Sequence, residues 1–159
     1  MTQAQILADV FQATRDLSNN YISRLEAADP LAQVEYNGKK LNSPLWIVAH
    51  LCWSQNMLQS KLLKGPNPNV AWLKDFAFGS DAIPTDQWPS YQEASSELNR
   101  INELCLGHVR SLDDSILDDE IYVENIDWRT SARGVITHSI RHEGMHTGHL
   151  SWLYKLLLK

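Results

Sequence analysis

The stretch HSIRHEGMHTGHL, residues 138–150, places four histidines at helical spacing. Their intervals are four, four and three residues, so at about 100° per residue all four lie within a wedge of roughly 80° on one helix face. These are His138, His142, His146 and His149. Val135 before the stretch and Leu153 and Leu156 after it continue the same stripe. The histidines therefore occupy the middle of the predicted core-facing seam of a long helix.

Apolar periodicity and end signals predict three helices before this one. The first covers residues 4–26, and its apolar stripe passes through Ile6, Val10, Leu17, Tyr21 and Leu25, widened by Phe11 and Ile22. The second begins at Pro44, after Asn42 or Ser43 as the cap, and runs to about residue 64, where Gly65-Pro66-Asn67-Pro68 ends it. The third spans about 90–112, and the histidine-bearing helix about 131–158.

These elements predict an all-α fold, a four-helix bundle with long ordered loops after helices 2 and 3. Residues 65–90 carry Trp72, Phe76, Phe78 and Trp88, so this loop is expected to pack against the bundle. Residues 113–130 are acidic, and their alternating piece Ile121-Tyr122-Val123 fits either a strand or an ordered loop. The 159 residues are expected to form a single domain, 1–159.

Composition excludes several classes of protein. The net charge of −5 offers no basic face for nucleic acid. No stretch reaches the ~20 apolar residues of a membrane span. The two cysteines, Cys52 and Cys105, fit a reducing compartment better than a disulfide framework, so we expect a cytoplasmic protein.

Four histidines within a core-facing seam favour a metal site. Buried imidazoles lose hydration and repel one another when protonated, so their neutral forms are favoured. Neutral rings at positions i and i+4 can bind one ion from the same helix face. A polar seam satisfied by hydrogen bonds is the alternative, and it is the ordinary interpretation of a single isolated histidine. The shared wedge leaves open which of the four would bind, although the rise of the helix prevents one ion from contacting His138, His142 and His146 together.

A further ligand is expected on the second helix. His50 lies within WIVAHLCW, residues 46–53, on the same face as Trp46, Trp53 and Met57. It therefore interrupts an apolar seam, which a ligand facing the other histidines across the bundle would explain. Three protein nitrogens with an open fourth position are typical of catalytic rather than structural metal sites.

Residues 142–146, HEGMH, also match the letters of the HExxH zinc protease motif. That interpretation would make Glu143 the general base and would require a third ligand downstream. His149 on the same helix is the remaining candidate, and no active-site strand is evident, so the sequence argues against a protease.

The other reactive residues are weaker candidates. His108, one turn after Cys105 on the third helix, is interpreted as a seam or surface residue, and Cys105 as a core residue. Cys52 is about 200° from His50 around the helix and is not expected to share its metal. Arg129, Arg133 and Arg141 can bind an anionic substrate or belong to a solvated face, and the second interpretation is favoured.

These motifs resemble the DinB-like superfamily of metal-binding four-helix bundles, which includes the YfiT-like proteins. In that family a histidine lies within the second helix and an HxxxH pair in the last. Ser43-Pro44-Leu45-Trp46 leading to His50 is similar to the first part, and residues 138–149 to the second. His138 matches a histidine that is frequent one turn before the ligands, whereas His149 stands where the family often has Gln.

The resemblance implies that His50, His142 and His146 bind one divalent metal ion, nickel or zinc. It also implies an up-down-down-up bundle and a homodimer. Some members of the family are thiol-dependent S-transferases or isomerases that use low-molecular-weight thiols. Two functions are therefore expected as alternatives: a metal-dependent enzyme acting on a small-molecule substrate, with a thiol as co-substrate, or a non-catalytic metal-binding protein in stress response or protein interaction.

Overall fold

The computed structural model describes residues 1–159, except for the side chain of Asn125. The long helices are α1 (Gln3–Arg24), α2 (Pro44–Gln55), α3 (Tyr91–Ser111) and α4 (Ala132–Leu158). Two short antiparallel hairpins join β1 (Glu35–Tyr36) to β2 (Lys39–Lys40) and β3 (Glu120–Val123) to β4 (Trp128–Ser131). Short 3-10 helices cover Leu25–Ala27, Ala71–Phe76, Asp114–Ile116 and Glu124–Ile126. The predicted all-α bundle is confirmed, and the alternating piece before α4 is a strand.

Local sequence explains where each long helix begins. Thr2 forms a capping box with Gln5 at the start of α1. Ser43 caps α2, and Pro44 occupies its first turn, where no backbone donor is needed. Ser90 and Ser131 cap α3 and α4 by accepting hydrogen bonds from backbone N–H groups three residues later.

Hydrogen bonds between helices define their directions. α1 and α4 are parallel, since Arg15 bonds Glu143 and Ser18 bonds Thr147. α2 and α3 are also parallel, as the pairs Cys52–Ala94 and Gln55–Asn102 show. α3 runs antiparallel to α1, as the pairs Asn19–Asn99 and Gln12–Asn102 show. The bundle is therefore up-down-down-up, as predicted.

The second helix differs from its prediction after residue 55. The α-helix ends at Gln55, and residues Asn56–Leu62 continue as a π-helix, whose hydrogen bonds join residues five apart. π-helical turns are rare and occur often at functional sites. Apolar periodicity predicts helix but does not distinguish this wider winding from an ordinary α-helix.

The predicted buried face of α1 is wrong by part of a turn. Ile6, Val10 and Leu17 are exposed, whereas the buried positions include Ala4, Ala8, Arg15 and Ser18. Small and polar residues are buried on this face because α1 packs closely along α4 and because the side chain of Arg15 lies inside the bundle. An apolar stripe drawn from residue types alone excludes such positions.

The bundle interior contains two apolar clusters separated by a polar layer. One cluster includes Leu98, Ile101 and Leu150, and the other includes Phe11 and Ile136. Between them lie buried polar side chains from all four helices: Arg15, Ser18, Gln55, Gln59, Asn102, Glu143, His146 and Thr147. The candidate site belongs to this polar layer.

The long loop after α2 packs against the bundle through its short 3-10 helix. Phe76 is fully buried, with Trp72 and Trp88 in contact with its ring, whereas Phe78 is 87% exposed. The expected packing therefore holds for three of the four aromatic residues. No helix of the described chain is long and apolar enough to cross a membrane.

Candidate metal centre

His50 lies on α2, and three neighbouring groups contact its ring and fix its orientation. It is 3% exposed, and the rings of Trp46 and Trp53 stack on it with centroid separations of 4.6 and 5.4 Å. Its Nδ1 donates to the backbone carbonyl oxygen of Phe76 over 2.7 Å. Since a carbonyl oxygen can only accept, Nδ1 carries the proton. The lone pair of the neutral ring is therefore on Nε2, the nitrogen that faces His142.

His142 and His146 on α4 meet His50 from across the bundle. Nε2 of His142 is 3.3 Å from Nε2 of His50, and the His146 ring centroid is 4.9 Å from that of His50. One donor atom from each of the three rings lies within 4.8 Å of the others. The structure therefore brings together the three residues that the sequence singled out.

The donor set fits a divalent metal ion. Two nitrogens each ~2.1 Å from a tetrahedral ion are about 3.4 Å apart, close to the separation of the two Nε2 atoms. The opposite nitrogens are held by neighbouring groups, His50 Nδ1 by Phe76 and His142 Nδ1 by Ser54 Oγ at 3.2 Å. Such contacts to the far ring nitrogen orient metal-binding histidines in known sites. This group of three histidines could hold a metal ion.

Burial keeps the three rings neutral. Loss of hydration, with added repulsion from His50 and His138, lowers the pKa of His142 to about 4. Loss of hydration, with repulsion from His142 and His50, lowers the pKa of His146 to about 3. Burial also lowers the pKa of His50, although the hydrogen bond to Phe76 opposes the shift. Neutral imidazole is the form that binds a metal, so protons compete weakly at neutral pH.

The two remaining histidines of α4 flank the group. His138 is half-buried against Trp128, and its ring centroid is 6.0 Å from that of His142. Its Nδ1 lies 3.0 Å from the guanidinium of Arg141. His149 is exposed, and its Nδ1 is 3.3 Å from Nδ1 of His146. Neither belongs to the group of donor atoms within 4.8 Å of one another.

Glu143 does not occupy the position of a protease general base. Its two carboxylate oxygens accept hydrogen bonds from Arg15 Nε at 2.6 Å and Nη2 at 2.9 Å, and both side chains are buried. The carboxylate therefore faces α1 rather than the histidines. The match of residues 142–146 to the protease motif is one of letters alone.

The weaker candidates lie apart from the histidine group. His108 Nε2 donates to the Leu63 carbonyl oxygen. Cys52 and Cys105 are free and buried, and burial raises the pKa of both thiols, so neither is a ready nucleophile.

The three arginines near α4 have different surroundings. Arg129 pairs with Glu120 and Arg133 with Asp118 at the surface. Arg141 contacts His138 and is the one of the three that borders the site.

The match to known proteins extends well beyond the histidines. The sequence model of the DinB superfamily matches residues 10–150 of the 159. The chain belongs to the DinB superfamily. The family resemblance drawn from His50, His142, His146 and the helix order is therefore confirmed.

A solved structure shows the same fold. The conserved protein of locus from Enterococcus faecalis is similar to this chain with a TM-score of 0.68 and 15% identity, over 99% of this chain and 98% of that one. At this identity the likeness shows the fold alone. No curated protein matches the sequence.

Sequence reasoning missed two groups that hold the histidines in place. Ser54 lies one turn after His50 on α2, so its hydroxyl could have been placed on the same face from spacing alone. Nothing in the sequence indicates that the Phe76 carbonyl oxygen contacts His50, because a backbone acceptor on a loop becomes a partner only when that loop folds back onto α2.

Proposed function

We propose that this DinB superfamily protein is a metal-dependent enzyme. We also propose that residues 1–159 form a single domain. One divalent ion is held by His50, His142 and His146. The observation that carries the proposal is the arrangement of three neutral rings whose donor atoms converge while neighbouring groups hold the far nitrogens of two of them. Imidazole ligands suit nickel and zinc, which are the ions proposed here.

The reaction class we propose is thiol-dependent S-transfer to a small electrophilic substrate. A bound divalent ion would stabilise the thiolate form of a low-molecular-weight thiol near neutral pH. The thiolate sulfur would form a bond to an electrophilic carbon as the carbon–halide bond breaks, so that the halide would leave with the electron pair and the thiol proton would pass to solvent. Around this centre, the rings of Trp46 and Trp53 stack on His50 and shield it from water, and the half-buried His138 is proposed to relay a proton.

The alternative is a non-catalytic metal-binding protein. The observation that favours it is the position of His149, whose Nδ1 lies 3.3 Å from Nδ1 of His146, since a fourth histidine ligand from this residue would close the site.

A metal analysis joined to a transfer assay tests both functions. Protein purified without added metal is analysed for its elements, loaded with nickel or zinc, and supplied with a panel of thiols and a fluorogenic alkyl halide. The enzyme proposal expects near-stoichiometric metal and turnover that is lost in His142→Ala. Stoichiometric metal with no turnover for any thiol favours the non-catalytic alternative, and full metal occupancy in His142→Ala contradicts the ligand assignment.

We also propose a homodimer through α4. Met145, Trp152 and Leu156 form an exposed apolar stripe on this helix, with His149 between them, at the alternating spacing of helix-pairing residues. Light scattering at micromolar concentration should show a dimer that Trp152→Glu dissociates. Leu17→Glu, on the exposed face of α1, is the matched control and should leave the dimer intact. A monomeric parent protein would contradict the proposal.

A further inference from the structure

A cavity of about 440 Å³ is lined by Trp53, whose ring also stacks on His50. Its size falls within the range of small-molecule pockets. Trp53 and Leu73 supply apolar wall, and the π-helix and the loop that follows it supply the polar groups. Trp53 thus contacts both the cavity and a residue of the candidate metal centre.

The polar residues that line this cavity are lysines and asparagines. Lys61 and Lys74 lie on it from two different segments, with the side chains of Asn56, Asn67 and Asn69. None of the lining residues is an Asp or Glu. Neither lysine forms an ion pair with another described residue. In a chain of net charge −5, this is a local concentration of uncompensated positive charge.

The π-helical winding creates this arrangement. Hydrogen bonds in a π-helix join residues five apart, so Asn56 and Lys61 lie one turn from each other on the same face. In an α-helix the same two residues would be about 140° apart. Asn56 is 7% exposed, and its side-chain oxygen Oδ1 has no hydrogen-bond partner among the described residues, so only its Nδ2 amide group could donate to an anion.

The opposite rim is held in place before any ligand binds. Asn67 accepts a hydrogen bond from the backbone N–H of Asn69, and Asn69 itself adopts a positive φ of 54°. Arg100 on α3 donates to the Pro68 carbonyl oxygen at 2.7 Å, which fixes the middle of this turn. A preformed rim lowers the entropic cost of binding.

We propose that this cavity binds a small organic anion, with its charged group between Lys61 and Lys74 and its apolar part against Trp53. The inference goes beyond the proposed metal chemistry, because the lining residues recognise the anion without an ion at the histidines. Lysines hold the charge, the asparagines donate hydrogen bonds to its oxygens, and the indole face packs on the carbon skeleton. The bound molecule would contact the same indole ring that stacks on His50.

The test compares benzoate with benzamide on the chelator-treated, metal-free full chain. The two probes share size and shape and differ in charge, and removing metal prevents a carboxylate from binding at the histidines. Chemical shifts of backbone amides and of the Trp53 indole N–H are followed by NMR during titration. We expect benzoate to shift signals around the cavity and to bind about tenfold more tightly than benzamide.

Matched double variants locate the binding charge. Lys61→Gln with Lys74→Gln should weaken benzoate binding about tenfold. Lys39→Gln with Lys40→Gln changes the net charge equally on the distant β2 strand and should leave binding unchanged. His142→Ala should also retain benzoate binding, which separates this proposal from the metal site. Equal affinity for benzoate and benzamide, or an unchanged affinity in the Lys61/Lys74 variant, would overturn the proposal.

Discussion

Two polar clusters lie side by side in the middle of the bundle, and they satisfy their polar atoms in opposite ways. Arg15 and Glu143 form a bidentate ion pair, and the arginine also donates to the Leu98 carbonyl oxygen and to Gln55. The histidine group directs lone pairs toward a shared point. The first cluster is complete within the chain, whereas the ring nitrogens of the second converge so that they could hold a metal ion.

This difference explains why neighbouring residues have separate roles. Glu143 follows His142 on α4, and Gln55 follows Ser54 on α2, yet the members of each pair face different clusters. Adjacent helical residues point about 100° apart. The ion-pair cluster therefore joins the helices and the histidine cluster faces the candidate ligand. The predictions below separate stability, assigned to the first cluster, from metal affinity, assigned to the second.

The largest effect is expected from removing a metal ligand. His50→Gln, His142→Gln and His146→Gln should each lose measurable metal, because each removes one of three donors. His138→Gln and His149→Gln should retain it with affinity reduced by at most about 10–100-fold. Titration of the purified variants with zinc, followed by a competing chelator, measures the affinities. Damage from His138→Gln equal to that from His146→Gln would place the site one turn nearer the start of α4.

Breaking the ion-pair cluster should mainly reduce stability. Arg15→Met leaves the Glu143 carboxylate buried without its partner, so the free energy of unfolding should fall by about 3–5 kcal/mol. Urea denaturation of the metal-free protein measures this change. Arg15→Met combined with Glu143→Leu removes both charges and should recover most of the loss. A single variant as stable as the parent would show that the pair does not hold the helices together.

A smaller effect on metal affinity is expected from Ser54→Ala. The hydroxyl contacts Nδ1 of His142 and orients the ring, so its loss should weaken metal binding by about 10–100-fold with little change in folding. Ser60→Ala is the matched control, because Ser60 is also buried in the π-helical continuation of α2 but contacts Cys105. Equal metal affinity in both variants would remove Ser54 from the site.

The pH dependence of stability should report the neutral state of the buried histidine rings. In the folded protein the pKa values of His142 and His146 are about 4 and about 3, below the ordinary value of 6.5 that applies to the unfolded chain. Between the pKa of the unfolded chain and those of the folded protein, the unfolded chain binds more protons than the folded protein does. The metal-free protein should therefore lose stability as pH falls from about 6.5 toward 4. Urea denaturation at several pH values measures the slope.

Variants identify the rings that cause this slope. His142→Gln with His146→Gln should reduce it, since these rings no longer take up protons on unfolding, and His50, whose pKa burial also lowers, contributes to what remains. A slope that is unchanged in the double variant would assign the pH dependence to other groups.

Much of the fold was predictable because its signals are local. Ser43-Pro44, Ser90 and Ser131 mark helix starts through hydrogen bonds made within three residues. The face of α1 was predicted wrongly because burial there depends on a neighbour. Arg15 is buried since Glu143, distant in sequence, supplies its partner, and no apolar pattern reports such a pair.

The sequence by itself determined the helix order, the single wedge of four histidines on α4 and the presence of His50 in an apolar seam. These follow from spacing along one helix, which is fixed by backbone geometry. Only the tertiary structure decided that His50 meets His142 and His146, that Phe76 and Ser54 hold two of these rings, and that Glu143 turns away to Arg15. Each of those facts joins segments distant along the chain, and their relative height and rotation arise from packing between helices.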